Sequence, residues 1–490
     1  MRINLDFLVA QAKKIIYAIN PTGAVPLAPY NLSGSRNNNK INLTWQESAG
    51  QNVTTFTIQK SGNGGSTWKQ VAQVKGPATS YQDSLGIPGF VLRASSGDLH
   101  KFSPYLQKHP LLKHVIIEGQ WSSIETSRGV YNVSALKAAV SQWCNNGYKV
   151  ILNIYPYIQL PSTDKTNDGY FLANGFPTYL YNVLKPLPNG LLKYTKSDGS
   201  KLAVPVVYSD PVVLQRYTAL MQYLAGIYDG NPCVSFVLVA QGDIGHLAIG
   251  PTEAKANAVS IGFTNQLWAD YGLQLAKAMA GVFLHTPLAA ISEKGYFGDT
   301  TAIGSAYGNP WLNEQLAGSN VSIIENKMET LNVTDPTFPN NTDAVAFFNN
   351  LDGVNPSAVA GTIREGYGAD WPLWVPVCAQ TSVGTVGHDY NFASTVLNKL
   401  LGPVPGHVKY GVTLIMANPR DMMGTNPNNP ATTAPTDCST GIVAFDPTIY
   451  QIYLNAYSQL LANAAGTQDY RVNASNKFGT SAWSNVAIVN

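Results

Sequence analysis

Four carboxylates stand in or just after short apolar runs: Glu118 in "HVIIEGQW", Asp243 in "VSFVLVAQGDIG", Glu325 in "VSIIENKME" and Asp421 after "LIMANPR". Two carboxylates held about 5–5.5 Å apart can act as acid/base and nucleophile on an acetal carbon. Asp243 with Glu325 makes the best such pair, because their runs are two apart along the chain. Each group also has a plain structural reading. Arg93 or Lys327 can neutralise Glu118 or Glu325, and Glu125 in "SSIETSRG" can cap its loop or pair with Arg128. His246 and His285 can line a cleft or serve as ordinary hydrogen-bonded residues. The chain contains no HExxH, G-x-S-x-G or P-loop pattern. Cys144, Cys233, Cys378 and Cys438 lack CxxC spacing, so they read as buried thiols with room for one disulfide, and no metal or other cofactor is expected.

These residues need a frame, and the chain between Leu85 and Ala465 supplies one. Apolar runs "GFVLRAS", "HVIIEGQW", "YKVILNIYP", "VSFVLVAQGDIG", "GVFLHTP", "VSIIENKME", "PLWVPVCAQTS" and "YGVTLIMANPR" alternate with helical patterns such as "VSALKAAVSQWCNNG" and "PVVLQRYTALMQYLAGIYDG". Continuous apolar runs are what strands buried on both faces look like. Eight β/α units predict an α/β fold, a (β/α)8 TIM barrel with long loops over residues 85–465.

The flanks read differently. Residues 28–84 alternate with period two: Ile41, Leu43 and Trp45 in one run, Phe56 and Ile58 before a Gly-rich turn, Trp68, Val71 and Val74 after it. That is about five strands of a small sandwich, and it stops too soon. "TQDYRVNASNKFGTSAWSN" near the carboxyl end reads as two more strands, which alone are marginal in water. The two pieces are expected to complete each other, making residues 28–84 plus 466–490 one sandwich and the barrel an insertion in one of its loops. The segments "LAPYNLSGS", "INLTWQES", "FTIQKS" and "TSYQDS" resemble the first strands of a fibronectin type III domain, with Trp45 at the strand-B Trp. "DYRVNASNKFGTSAWSN" resembles its last two, with Tyr470 near the tyrosine-corner position.

Within the insert, "VIIEGQWSSIETSRGVYNVSALKAAVSQWCNNGYKVILNIYP" and "YLAGIYDGNPCVSFVLVAQGDIG" resemble the second-to-third and fourth strand regions of retaining glycoside hydrolases. That resemblance implies an acid/base Glu ending strand four and a nucleophilic Glu ending strand seven. The sequence departs at both places, with Gln241 and Gln380 where the two Glu would stand. A Gln amide cannot attack as a carboxylate, but it can hydrogen-bond a sugar hydroxyl. A glycan-binding cleft is expected to gather Glu118, Gln241, His246 and Gln380, with Trp121 and Tyr157 just past strand ends as stacking surfaces.

Residues 1–27 carry apolar positions at helical spacing from Leu5 to Ile19, closed by Asn20, Pro21 and Gly23. Lys13 and Lys14 interrupt the run, which argues against a secretory signal. The segment is a helix packed on its own domain, a docking helix for an assembly, or a membrane-surface helix. The chain has 490 residues, of which 12% are charged, and a net charge of +2. So balanced a charge gives no field that would draw nucleic acid or an anionic membrane. No apolar run reaches the ~18 residues of a membrane span. Low charge, Asn-rich loops and a split fibronectin-like module resemble phage virion proteins. The expected partners are therefore a glycan or polysaccharide and other virion proteins, and the expected location is a virion surface or the extracellular space. Two functions compete: a non-hydrolytic or weakly hydrolytic glycan-binding surface component, which the Gln positions favour, and an active polysaccharide hydrolase using Asp243 and Glu325.

Overall fold

The computed structural model describes residues 24–239 apart from 38–39, 62–64, 66–67, 85–86, 93–95, 188–189, 197 and 206–209; it further describes 265–292, 321–326, 368–370, 379–380, 386–387, 414–417, 419–432, 442–464 and 468–489. The first five strands are β1 (Tyr30–Asn37), β2 (Lys40–Gln46), β3 (Thr55–Ser61), β4 (Lys69–Lys75) and β5 (Ser80–Ser84). In β2 the alternation is strict: Ile41, Leu43 and Trp45 are buried while Lys40, Thr44 and Gln46 face out. β2 pairs antiparallel with β1 and β5, and β3 pairs with β4.

Eight parallel strands follow in a ring. They are β6 (Gly89–Leu92), β7 (Leu112–Gln120), β10 (Lys149–Tyr155), β15 (Val234–Val239), β16 (Leu288–Ser292), β17 (Val321–Asn326), β18 (Gly368–Asp370) and β21 (Leu414–Ala417). Each pairs with the next, and β21 returns to β6, so the barrel is closed. Period-two geometry divides each strand between two cores. Val91, Ile116, Ile151, Phe236, Leu238, Ala289 and Leu414 form an apolar layer together. Their neighbours Phe90, Val115, Val150, Val237, Leu288 and Ile415 pack in the larger core with the helices.

The helix Pro211–Tyr228 shows how the outer layer is specified. Asp210 caps it by accepting from the Val212 N–H at 2.7 Å, and Pro211 occupies the first turn, where no N–H is needed. Val213, Tyr217, Leu220, Met221, Leu224 and Tyr228 repeat at helical spacing and are buried. The helix ends at Asp229, followed by Gly230 at φ +72°. A disulfide joins Cys144, on the helix Ser134–Asn145, to Cys233 just before β15, choosing between the two cysteine states open in the sequence.

Smaller sheets decorate the ring. β8 (Glu125–Ser127) and β9 (Val130–Tyr131) form a ribbon after β7. β11 (Ile158–Lys165), β12 (Phe171–Asn174), β13 (Leu191–Thr195) and β14 (Lys201–Pro205) form a four-stranded sheet after β10. Among the described residues, β19 (Ala379–Gln380) and β20 (Val386–Gly387) pair only with each other.

Two expected barrel strands move. "GVFLHTP" is not the fifth strand. Its Leu284, His285 and Thr286 N–H groups instead donate to the Asp229 carboxylate at 3.1, 2.9 and 2.7 Å, and the strand begins at Leu288. His285 therefore precedes the strand instead of ending it. The ring's seventh strand is Gly368–Asp370, while the described part of "PLWVPVCAQTS", Ala379–Gln380, lies in the β19–β20 ribbon. Pro372 and Pro376 lack the N–H that a strand paired on both sides must donate.

The chain ends in β22 (Gln468–Asn476), β23 (Gly479–Thr480) and β24 (Ala487–Val489). β22 pairs with β3 over seven residues, from Asp469 opposite Ser61 to Ser475 opposite Thr55. Leu32, Ile41, Leu43, Trp45, Phe56, Ile58, Tyr470, Val472 and Val489 share one core, so both ends of the chain bury their apolar faces in the same place. Among the described residues no helix is long and apolar enough to cross a membrane.

Candidate functional site at the barrel mouth

Parallel barrels present their strand carboxyl ends on one face, where bound molecules meet side chains from several strands. Above the layer of Ile116 and Ile151, the next inward positions on β7 and β10 are Glu118 and Asn153, which stand opposite each other in register. Asn153 is fully buried and Glu118 half-buried. One step higher, Gln120 stands opposite Tyr155. A carboxylate, two amides and a phenol thus rise in two tiers toward the mouth. Such groups offer both donors and acceptors to hydroxyls.

The other expected site residues fall in several places. Glu325 lies on β17, its backbone in register with Ser292 and Ala369. Asp421 falls in the short helix Pro419–Gly424 after β21. Asp243, Gln241 and His246, like Arg93 and Lys327, lie outside the described residues. Gln380 is displaced from its expected place: it sits in the β19–β20 ribbon opposite Val386, away from the barrel's hydrogen-bonded ring.

Trp121 and Tyr157 are corrections of another kind. Trp121 has no exposed surface and Tyr157 only 2%, so neither can stack on a sugar in this conformation. After β7 the chain turns into a single helical turn, Trp121–Ile124, which tucks the indole inward. There it makes edge contacts with Phe176 at 5.4 Å and Tyr217 at 5.1 Å. Its Nε1–H donates to Glu125 Oε2 at 2.7 Å.

Glu125 is the centre of a buried polar cluster that the sequence reading misplaced. Its partner is Arg216, 91 positions along the chain, and not Arg128. The Gly129 N–H also donates to Glu125 at 2.7 Å, while Arg216 reaches Tyr131 Oη at 3.1 Å and Tyr179 Oη at 3.3 Å. Burial pushes the Glu125 carboxyl up, but the Gly129 N–H, Trp121 and Arg216 outweigh it and hold the group below its usual range. Burial, with the nearby Glu125 carboxylate, pushes the Tyr179 phenol up to about 12. A carboxylate with three such donors and no solvent exposure is a structural anchor, not a free base. The Trp121/Glu125 spacing of four was visible in the sequence, whereas Arg216 carried no local signal.

Two buried histidines brace the opposite end of the strands. His114, at the start of β7, donates from Nε2 to Ile87 O at 2.6 Å and accepts at Nδ1 from Ser235 Oγ at 2.9 Å. Burial pulls it down to about 4. His109 Nδ1 accepts from the Leu111 and Leu112 N–H groups at 3.0 and 3.1 Å, and Nε2 meets Thr425 Oγ1 at 3.0 Å. Burial pulls it down to about 3. Among the described residues no three His, Cys, Asp or Glu side chains are grouped to hold a metal ion.

No family model and no curated protein matches the chain. Among solved structures, a β-galactosidase from the psychrophilic Marinomonas ef1 is similar over 67% of this chain and 53% of its own, with a TM-score of 0.39 and 13% identity. A cold-adapted β-galactosidase from Rahnella sp. R3 is similar over 78% of this chain and 57% of its own, with a TM-score of 0.46 and 11% identity. The chain thus spans a little over half the length of these two enzymes.

Proposed function

We propose that this protein is a surface component of a virion-type assembly whose TIM barrel, of glycoside-hydrolase-like kind, binds glycans with weak or no hydrolysis. The observation that carries the reading is the pairing of Glu118 with Asn153 above an apolar barrel floor, with Gln120 and Tyr155 next toward the mouth. Glu118 and Gln120, the two partly exposed members of this set, offer hydrogen bonds to sugar hydroxyls. Gln241, at the position where the resemblance expects the acid/base Glu, supports weak hydrolysis. The barrel is inserted between β5 and β22 of a module that is fibronectin type III-like in our reading, since a three-stranded and a five-stranded sheet share the Trp45/Tyr470 core. The Cys144–Cys233 bond supports an oxidising, extracellular setting. Residues 1–27 serve as the assembly anchor in this reading.

The test is affinity electrophoresis of the full chain through a panel of polysaccharides, with reducing-end release measured in parallel. Retardation that Glu118→Gln weakens about tenfold is the expected result. Turnover abolished by Asp243→Asn or Glu325→Gln would replace this reading with that of an active hydrolase. Presence in purified particles, lost when residues 1–20 are deleted, checks the assembly role.

A further inference from the structure

On the outer flank of the barrel the helix Pro211–Tyr228 and the β8–β9 ribbon enclose a shallow cleft of about 430 Å³, lined by Arg128, Gln215, Arg216, Thr218, Ala219 and Gln222. Beside it the rings of Tyr131 and Tyr223 stack at 4.5 Å and 24°. The cleft and the stack are continuous, because Arg216 lines the first and hydrogen-bonds Tyr131 of the second. Tyr223 is 39% exposed. Exposed Val130 adds an apolar edge, at 56% exposure.

The charges differ from one Arg to the other. Arg216 is the sole charged residue of its helix and is neutralised by Glu125. Arg128 is exposed, and no carboxylate among the described residues pairs with it. The cleft therefore combines an uncompensated guanidinium, two exposed amides, a hydroxyl and an aromatic platform with one open face. Aromatic faces take the C–H face of a pyranose, amides take its hydroxyls, and a guanidinium fork takes a carboxylate.

We infer that this flank cleft is a second carbohydrate site, separate from the barrel mouth, that takes an acidic polysaccharide bearing uronate carboxylates. Arg128 holds the carboxylate, Tyr223 carries a neighbouring ring, and Gln215 and Gln222 fix the hydroxyls. The assignment does not depend on the mouth binding sugar.

The experiment is affinity electrophoresis of the full chain in gels containing polygalacturonate or, as the neutral control, dextran. The protein should be retarded by polygalacturonate and not by dextran. Arg128→Gln and Tyr223→Ala should each weaken the retardation about tenfold; the Arg128→Gln melt should be unchanged because that side chain is exposed, whereas Tyr223→Ala should lower the melt slightly through loss of its stack on Tyr131. Arg128→Lys should keep part of it. Migration unaffected by polygalacturonate would overturn the inference, as would equal retardation by dextran. Retardation lost in Glu118→Gln but retained in both flank variants would overturn it too, and would leave the barrel-mouth reading standing.

Discussion

Tyr470 Oη donates to Asp83 Oδ2 at 2.6 Å, across 387 positions of sequence. Lys60 Nζ reaches the same oxygen at 3.2 Å. Asp83 belongs to β5 in one sheet, whereas Lys60 and Tyr470 belong to β3 and β22 in the other. One buried carboxylate thus ties the two sheets together, and with them the two ends of the chain. Asp83→Ala should cost about 3–5 kcal/mol, because it removes the buried carboxylate that both Lys60 and Tyr470 contact. Tyr470→Phe should cost about 1.5–3 kcal/mol, the worth of a hydrogen bond to a charged group. Urea midpoints at neutral pH measure both.

Acid should unfold this protein early. His109 and His114 are buried neutral, with values of about 3 and about 4, both below the ordinary 6.5. The unfolded chain therefore binds protons more readily, and stability falls as pH drops from 6.5 toward 4. At pH 5 each His should have cost about 2 kcal/mol relative to neutral pH. His109 has a stated reason for resisting the proton: its Nδ1 already faces two N–H donors. His114→Gln should flatten the slope of urea midpoint against pH; an unchanged slope would show that this residue is not the source.

Removing the Glu125 carboxylate should loosen the entry to the barrel's outer layer. Glu125→Gln leaves Arg216 without its anion and should destabilise by about 3 kcal/mol. Trp121 reports on the change, since its indole N–H loses a charged acceptor and its fluorescence should shift. The folded carboxyl is held low, so its contribution is complete above about pH 4.5 and fades as pH falls through the folded value.

Reduction of Cys144–Cys233 should lower stability by about 2–4 kcal/mol, because the bond closes a loop of 89 positions in the unfolded chain. A thermal melt with and without reductant shows it. A Cys144→Ala, Cys233→Ala variant should melt at the reduced protein's temperature under both conditions.

Arg471 lies between the rings of Trp68 at 4.4 Å and Trp483 at 4.3 Å and donates twice to Gln59 Oε1. Arg471→Lys keeps the charge but loses the flat stack and the fork, and should cost about 1–2 kcal/mol. Chemical denaturation followed by tryptophan fluorescence checks the value and reports on the two rings directly.

The alternation of Ile41, Leu43 and Trp45 and the apolar runs of β6, β7, β10 and β15 could be read directly, because burial writes a period into the residues themselves. The fifth and seventh strands differ from the apolar runs for two reasons. The N–H groups of "GVFLHTP" are taken by the Asp229 carboxylate, and "PLWVPVCAQTS" carries prolines that cannot donate, neither of which a hydrophobic pattern shows. Trp121 and Tyr157 were misplaced because a position just past a strand end can turn toward solvent or back under a helix.

What the sequence determined by itself is the local: which runs form strands, where Asp210 and Pro211 start a helix, and that neither end of the chain can bury its own strands alone. Only the tertiary structure decided that Glu125 meets Arg216, that Cys144 meets Cys233, and that Glu118 stands beside Asn153. Those partners come from distant segments. Their choice rests on packing and desolvation across the whole fold, which leave no periodic trace along the chain.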